Sequence, residues 1–234
     1  MSLNSGPRTM TEPPPPNPRP RDAATLILVR DVQSTPRILM GQRTTRDAWS
    51  KLYVFPGGTV DAGDHRVPAA PLRPEVRARV ELAASPSRAT ALGVAAVRET
   101  FEETGLRIAT SGQATFAPSA DPTWHAFAHD GSVPDLSGLH FLCRAITPPR
   151  RPKRFNARFF LAEADHLDQR TEGSGELHDL QWFTLDEIAE LPLPLITQAV
   201  MAEVHDRLDT GSLGTPDRTR LFRTIREQHL RLWE

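Results

Sequence analysis

One stretch, Arg98 to Leu106, constrains this chain more than any other, because it places three carboxylates next to one another. In a helix, residues three and four apart lie on one face, so the spacing predicts that Glu99, Glu102 and Glu103 point in roughly the same direction. The opposite side carries an apolar stripe of Val94, Val97 and Phe101. Gly105 follows directly, and glycine at this position typically ends a helix. The stretch therefore predicts the end of a helix with one buried face and one acidic face.

The acidic face has two interpretations that these residues alone leave open. Like charges one turn apart repel by a few tenths of a kcal/mol, so helix propensity does not favour the arrangement. A divalent cation would relieve the repulsion, and carboxylate oxygens at this spacing suit Mg²⁺ or Mn²⁺, which also keep water and phosphate oxygens as ligands. The alternative is a solvated helix face, as in many glutamate-rich runs.

A second segment upstream shifts the balance toward the cation-binding interpretation. Residues 55–58 read Phe-Pro-Gly-Gly and end an apolar run. Together with the acidic helix, this segment resembles the signature of the Nudix hydrolases. The matching positions are Gly58, Arg98, Glu99, Glu102, Glu103, Gly105 and Leu106. The resemblance implies a Nudix-type α/β/α sandwich with a mixed β-sheet, and a divalent cation, Mg²⁺ or Mn²⁺, held by the glutamates.

The chain departs from that signature in two places. Asp64 stands where the signature has Glu, and residues 65–97 occupy what is normally a short spacer. A long insertion here is a feature of the coenzyme A diphosphatase branch of the family. Gln42-Arg43 and the run from Arg154 to Leu161 are also similar to that branch.

The resemblance implies hydrolysis of a small-molecule nucleoside diphosphate compound. The first candidate is coenzyme A or acyl-coenzyme A, giving adenosine 3′,5′-bisphosphate and 4′-phosphopantetheine. ADP-ribose or a dinucleotide such as NADH is the alternative substrate. A Nudix-derived module that binds a nucleotide without cleaving it is the alternative from outside the enzymes.

The resemblance also implies a role for each charged side chain of the signature. Glu99 and Glu103 are the expected principal metal ligands, with Glu102 completing or bridging the set. Arg98 is expected to hold the cluster by ion pairing with Asp64 or Asp61. The general base is expected to be Glu102 or Glu176, since a carboxylate that already coordinates metal is a poor base.

The expected substrate contacts come from two regions. Arg43 and the glycines at 57 and 58 would bind near the diphosphate, because a Gly-Gly turn brings backbone N–H groups close to phosphate. A basic, proline-rich loop, residues 148–154, contributes Arg150, Arg151 and Arg154. Such a loop is either a solvated turn or a grip for an additional phosphate, since arginine binds phosphate bidentately. Phe155 would stack on an adenine or pack in the core.

The rest of the chain sets the expected domain organisation. Residues 1–20 contain four consecutive prolines and little apolar surface, which predicts a disordered tail. Residues 21–234 form one Nudix domain of ordinary size, with an insertion at about 65–90. The insertion contains a helix from Pro74 to Leu82 followed by a break at 85–90, and it is either a surface elaboration or a wall of the site. C-terminal helices are expected from about residue 193, over 195–208 and 218–232, packing on the domain or on a second copy in a homodimer.

Composition limits the setting. A net charge of −1 and an isoelectric point near 6.7 predict no general attraction to nucleic acid or to an anionic membrane. A single cysteine, Cys143, fits a reducing compartment. No apolar run approaches the roughly 20 residues that a membrane span requires. We therefore expect a cytoplasmic protein without a nucleic-acid or membrane partner.

Overall fold

The structure is a computed structural model, and it describes residues 18–44, 50–114, 116, 121–167, 172–225 and 228–234. The predicted tail lies outside the described residues except for 18–20. Within this part of the chain, the helices are a 3-10 turn at Asp64–Arg66 and α1 (Pro74–Glu81), α2 (Pro86–Thr104), α3 (Pro122–Phe127), α4 (Leu185–Ala189) and α5 (Leu195–Asp209). The strands are β1 (Arg21–Arg30), β2 (Arg37–Arg43), β3 (Tyr53–Val54), β4 (Gly57–Thr59), β5 (Ala109–Thr110), β6 (Val133–Pro134), β7 (His140–Ile146), β8 (Phe155–Glu163), β9 (Leu177–Thr184), β10 (Arg220–Ile225) and β11 (Gln228–Trp233).

A mixed sheet forms the centre of the fold. Its strands follow the order β11-β10-β7-β8-β1-β2-β3, with β4 paired to β1 and β9 paired to β2. The β1–β8 and β10–β7 pairs are parallel, and the other pairs in the sheet are antiparallel. β1 is central because its side chains are buried on both faces, as is typical of a strand covered from both sides.

The two faces of the sheet build two separate cores. Alternate residues of β1 divide between them: Leu26 and Leu28 face the core that includes α1 and α2, while Ile27 and Val29 face the core that includes α4 and α5. Helices therefore cover both sides of the sheet, and the predicted α/β/α sandwich with a mixed sheet is confirmed.

Helix α2 carries the acidic stretch and is longer than the sequence predicted. Ser85 is its N-cap, accepting a hydrogen bond from the Arg88 backbone N–H, and Pro86 occupies the first turn, where no N–H is needed. The predicted break at 85–90 is therefore wrong, because Ser85 caps the helix and residues 86–90 form its first turns. At the other end, Gly105 adopts φ 72°, the left-handed conformation predicted for the residue that stops the helix.

The insertion is part of the core. The predicted helix is confirmed as α1, and its Val76 and Val80 are buried together with Leu72 in the same core as α2. The pair Arg158 and Asp22 fastens the segment after α1, because the buried Arg158 donates to the Ala83 carbonyl at 2.8 Å and to Asp22 at 2.6 Å. α1 packs on β7 and α2.

The C-terminal prediction is half right. The helix expected over 195–208 is confirmed as α5, whereas the helix expected over 218–232 is wrong: the described part of this stretch is the β10–β11 hairpin. Leu221, Ile225 and Leu232 suggested helical spacing, but β10 pairs in parallel with β7 through Arg220 to Phe222. Extension of the sheet supplies backbone hydrogen bonds that a local pattern does not reveal.

The described residues include no helix that is long and apolar enough to cross a membrane.

Candidate active site

The acidic end of α2 lies where the sheet divides. β1 pairs with β2 only at Val29 and Arg30, and β4 takes the place beside the start of β1. The Gly57 backbone N–H donates to the Glu103 carboxylate at 2.9 Å. A Cβ atom at Gly58 would overlap the Glu99 carboxyl group, so only glycine allows this approach. The Gly-Gly turn predicted from the sequence is the start of strand β4, because both glycines pair with β1. It meets the two glutamates directly, as the two halves of the sequence motif predicted.

Arg98 is the hub that holds the acidic residues. Its guanidinium binds the Asp64 carboxylate with two contacts, of 3.0 and 3.2 Å, and also contacts Glu99 and Glu102, each at 3.0 Å. Its Nη2 atom donates to the Thr59 carbonyl at 2.9 Å. The predicted ion pair with Asp64 is confirmed. Burial by itself would lower the pKa of Arg98, but the hydrogen bond to Asp64 and the neighbouring carboxylates raise it above its ordinary value.

Asp64 is the residue that departs from the family signature, and its position explains why a shorter side chain suffices. The 3-10 turn at 64–66 brings the backbone close to α2, and the Asp64 side chain is 1% exposed. Its second oxygen also accepts the backbone N–H of Asp61 at 2.8 Å. The insertion thus begins with a fixed contact to Arg98.

The two glutamates against the Gly-Gly turn have strongly perturbed titration. Burial raises the pKa of Glu99 to about 7, an effect that Arg98 opposes and Glu102 and Glu176 reinforce. Burial raises the pKa of Glu103 to about 8; the Gly57 N–H and Arg43 oppose this, while Glu99 and Glu176 add to it. Uncompensated negative charge at this place is therefore costly, and a cation would reduce the cost.

The donor set fits a magnesium-type ion that retains water. Among the described residues, no three acidic, histidine or cysteine side chains converge as a complete ion site. Glu99 and Glu102 both contact Arg98 at 3.0 Å, but only Glu99 also lies against Gly58. Glu99 and Glu103 remain as two carboxylates one turn apart, which suits an ion that takes a few carboxylates and completes its shell with water and substrate phosphate.

Glu176 and Arg43 approach the same place from other elements. Glu176 precedes β9 and contributes repulsion at both Glu99 and Glu103, while Arg43, at the end of β2, contributes attraction at Glu103. The Arg43 Nε atom is buried and has no hydrogen-bond partner within the described residues. The structure thus brings together side chains from α2, β2 and the loop before β9.

The basic loop is held by contacts with neighbouring backbone. Arg154 donates to the Thr147 carbonyl and, at 2.8 Å, to the Pro18 carbonyl, so part of its role is to hold the chain. Arg151 is exposed, Arg150 adopts φ 64°, and Phe155 is half-buried at the start of β8. Arg21 connects the two regions: its backbone N–H donates to the Arg154 carbonyl and its side chain to Thr59 Oγ1 at 3.3 Å.

The sequence interpretation did not include Arg21, Thr44, Gly173 or Ser174, although each contacts a residue of the site or of the basic loop. Gly173 packs against the backbone of Glu103, and the Ser174 N–H donates to the Glu102 carbonyl. The only sequence signal was the Gly-Ser-Gly run shortly before Glu176.

Comparison with known proteins was made on the sequence and on the fold. No family model matches the chain. A curated Caenorhabditis elegans protein, named as a candidate nudix hydrolase with the number 7, is 31% identical over 182 residues, covering 73% of this chain and 53% of that protein. The chain thus spans about half the length of the curated relative that it matches. A crystal structure of a NUDIX hydrolase from Alicyclobacillus acidocaldarius has a TM-score of 0.60 and 27% identity, over 84% of this chain and 98% of that one.

Proposed function

We propose that this chain, which has the Nudix fold, is a Nudix hydrolase and that it hydrolyses the phosphoanhydride bond of a nucleoside diphosphate-linked compound. One observation supports this most strongly: the buried carboxylates of Glu99 and Glu103 meet the Gly57-Gly58 turn, where a phosphate and a cation would be bound together. A helix face intended only for solvent would not bury these groups.

Glu99 and Glu103 would hold a divalent cation, Mg²⁺ or Mn²⁺, with Glu102 able to complete the set. When bound, such an ion neutralises phosphate charge and makes a bound water more acidic. Arg98 keeps Glu99 and Glu102 in place through its contacts with both carboxylates. The Gly57 N–H orients Glu103.

Two residues remain candidates for the general base, and the contacts support Glu176. Glu102 accepts a hydrogen bond from the Arg98 guanidinium at 3.0 Å, so one of its oxygens already has a partner. Glu176 is exposed on its loop and acts electrostatically on both Glu99 and Glu103. We therefore assign to Glu176 the role of taking a proton from water beside the acidic pair.

The first test is whether the acidic pair is needed for turnover. Glu103→Gln retains the shape of the side chain and removes its charge, so we expect turnover to fall by orders of magnitude with little loss of melting temperature. The assay is a panel of diphosphate compounds with Mg²⁺, in which released products are treated with phosphatase and phosphate is measured. Glu190→Gln, at an exposed position after α4, is the matched control.

Two outcomes would contradict the proposal. Unchanged turnover in Glu103→Gln would remove the helix from the mechanism. If the unmodified protein binds nucleotides but releases product from none of the compounds in the panel, it is a binding module instead.

For the substrate, we propose coenzyme A or an acyl derivative, which carries a 3′-phosphate in addition to its diphosphate. The support is the basic loop, whose Arg151 is exposed and which is connected through Arg21 to Thr59 beside the acidic site. Arg150, Arg154 and Phe155 belong to the same proposed subsite, with Arg154 serving also to hold the loop.

The substrate proposal is tested by removing one phosphate or one cation. Arg151→Ala should lower kcat/KM for coenzyme A about tenfold, since a charged hydrogen bond contributes about 1.5 kcal/mol. It should not change kcat/KM for dephospho-coenzyme A, ADP-ribose or NADH. Arg223→Ala, an exposed arginine on β10, is the control. Equal losses with and without the 3′-phosphate would contradict the assignment and favour ADP-ribose or a dinucleotide.

The cytoplasmic location and the homodimer stay predictions.

A further inference from the structure

The segment from Gly173 to Leu177 bridges the acidic helix and the end of β2. Its first half rests on the C-terminal turn of α2. The Ser174 N–H donates to the Glu102 carbonyl at 2.6 Å, which satisfies one of the carbonyls that a helix leaves unpaired at its end. Gly173 lies against the Glu103 carbonyl so closely that an added Cβ atom would overlap the oxygen.

The second half of the segment is fastened to β2. The Glu176 carbonyl accepts two hydrogen bonds from Thr44, from its backbone N–H at 3.2 Å and from its Oγ1 at 3.1 Å. Leu177 follows, is buried, and pairs with Arg43 as the first residue of β9. The backbone of Glu176 is thus held immediately beside a residue of the site.

The Glu176 side chain itself is exposed, and within the described residues no hydrogen bond fixes its carboxylate. Its position relative to Glu99 and Glu103 therefore depends on the backbone of the segment. We propose that Gly173, Ser174 and Thr44 are positioning residues that hold the Glu176 carboxylate next to the Glu99–Glu103 pair. This inference rests on the proposed function, because it gives Glu176 a part in the reaction.

Gly173 is the most demanding of the three positions. The Glu103 carbonyl belongs to the backbone of a buried helix, so it cannot move aside as the end of a flexible side chain would. A methyl group at 173 must therefore displace the loop, and with it Glu176. A displacement of about 1 Å in a reacting group is enough to reduce catalysis on the order of 100-fold.

The test compares Gly173→Ala with Gly138→Ala, a glycine at which an added Cβ atom meets nothing within 4 Å. We expect Gly173→Ala to lower kcat at least tenfold with KM changed less than threefold, and Gly138→Ala to leave both unchanged. Thr44→Val, which removes only the Oγ1 bond, should give a smaller loss of kcat. Thr44→Ser, which keeps that bond, should restore it.

A double-mutant cycle separates positioning from general damage. If Gly173 acts through Glu176, adding Gly173→Ala to Glu176→Gln should produce no further loss of kcat. Full additivity of the two losses would overturn the inference, as would equal activity of Gly173→Ala and Gly138→Ala. If Gly173→Ala does not fold, the Thr44→Val and Thr44→Ser pair decides, and equal kcat in those two variants overturns the inference.

The outcome is distinguishable from failure of the proposed function. Loss of turnover in Glu103→Gln together with normal turnover in Gly173→Ala contradicts only the positioning role. Normal turnover in Glu103→Gln contradicts the hydrolase proposal itself.

Discussion

Replacing Asp64 by Asn tests the buried ion pair on which the acidic cluster depends. The substitution keeps the size of the side chain and removes the charge that faces Arg98. The two side chains are 1% and 5% exposed, so neither has solvent to replace the lost partner. Breaking a buried pair by removing one member costs about 3–5 kcal/mol. Arg98 keeps Glu99, Glu102 and the Thr59 carbonyl, so the expected loss in the free energy of unfolding is at the lower end, about 3 kcal/mol.

The measurement is urea denaturation followed by far-ultraviolet circular dichroism. The transition midpoint should fall while the slope m is unchanged, because the surface exposed on unfolding stays the same. The melting temperature should fall by roughly 6–12 °C, at 2–4 °C per kcal/mol for a chain of this size. Both experiments are carried out in EDTA so that a bound metal does not mask the loss.

Asp61→Asn is a matched control, because Asp61 lies 3.7 Å from the same guanidinium but its side chain is 57% exposed. An exposed ion pair contributes about 0–1 kcal/mol, so this variant should be nearly as stable as the parent. Asp64→Glu restores the residue of the family signature, yet we expect it to cost about 1–3 kcal/mol, since an extra methylene must enter a closed site. Equal stability of Asp64→Asn and Asp61→Asn would refute this reasoning.

Two further predictions concern the acidic pair and the turn beside it. In EDTA, stability should decrease as the pH rises from about 4.5 to 8: the raised pKa values of Glu99 and Glu103 mean that the folded state binds more protons than the unfolded state in this range, and the loss is complete above the folded pKa values. Mg²⁺ or Mn²⁺ should reverse that decrease, so the metal should raise the melting temperature more at pH 8 than at pH 6. Glu103→Gln should weaken both the pH dependence and the metal effect. A melting temperature that responds to neither pH nor metal would contradict this prediction. Gly58→Ala should lower kcat more than tenfold because its Cβ atom displaces Glu99, whereas Gly63→Ala, where the added atom meets nothing within 4 Å, should be neutral in the same phosphate-release assay.

Local sequence was sufficient for the elements that carry their own signals. The insertion helix beginning at Pro74 and the helix stop at Gly105 were predicted from local sequence, since proline suits a first turn and glycine suits a left-handed cap. The acidic helix and the Gly-Gly segment were predicted as one site because together they resemble the Nudix signature. The resemblance implied that Arg98 pairs with Asp64 or Asp61, and the structure gives Asp64 the buried contact.

Other features depended on residues far apart in the chain. The hairpin after Arg220 was read as a helix, because its conformation depends on an open strand edge at β7. The insertion could have been a wall of the site, and only the burial of Val76 and Val80 in the α2 core shows that it is part of the domain interior.

For this protein, the sequence by itself determined which chemical groups are present and which of them lie one helical turn apart. Only the tertiary structure decided that Glu102 contacts Arg98, that Glu99 and Glu103 meet the Gly-Gly segment, and that Gly173 packs against the end of the same helix. The physical reason is that helical spacing is a local property of the backbone. The burial that shifts a pKa, and the partner that each carboxylate receives, depend on which distant segments pack against it.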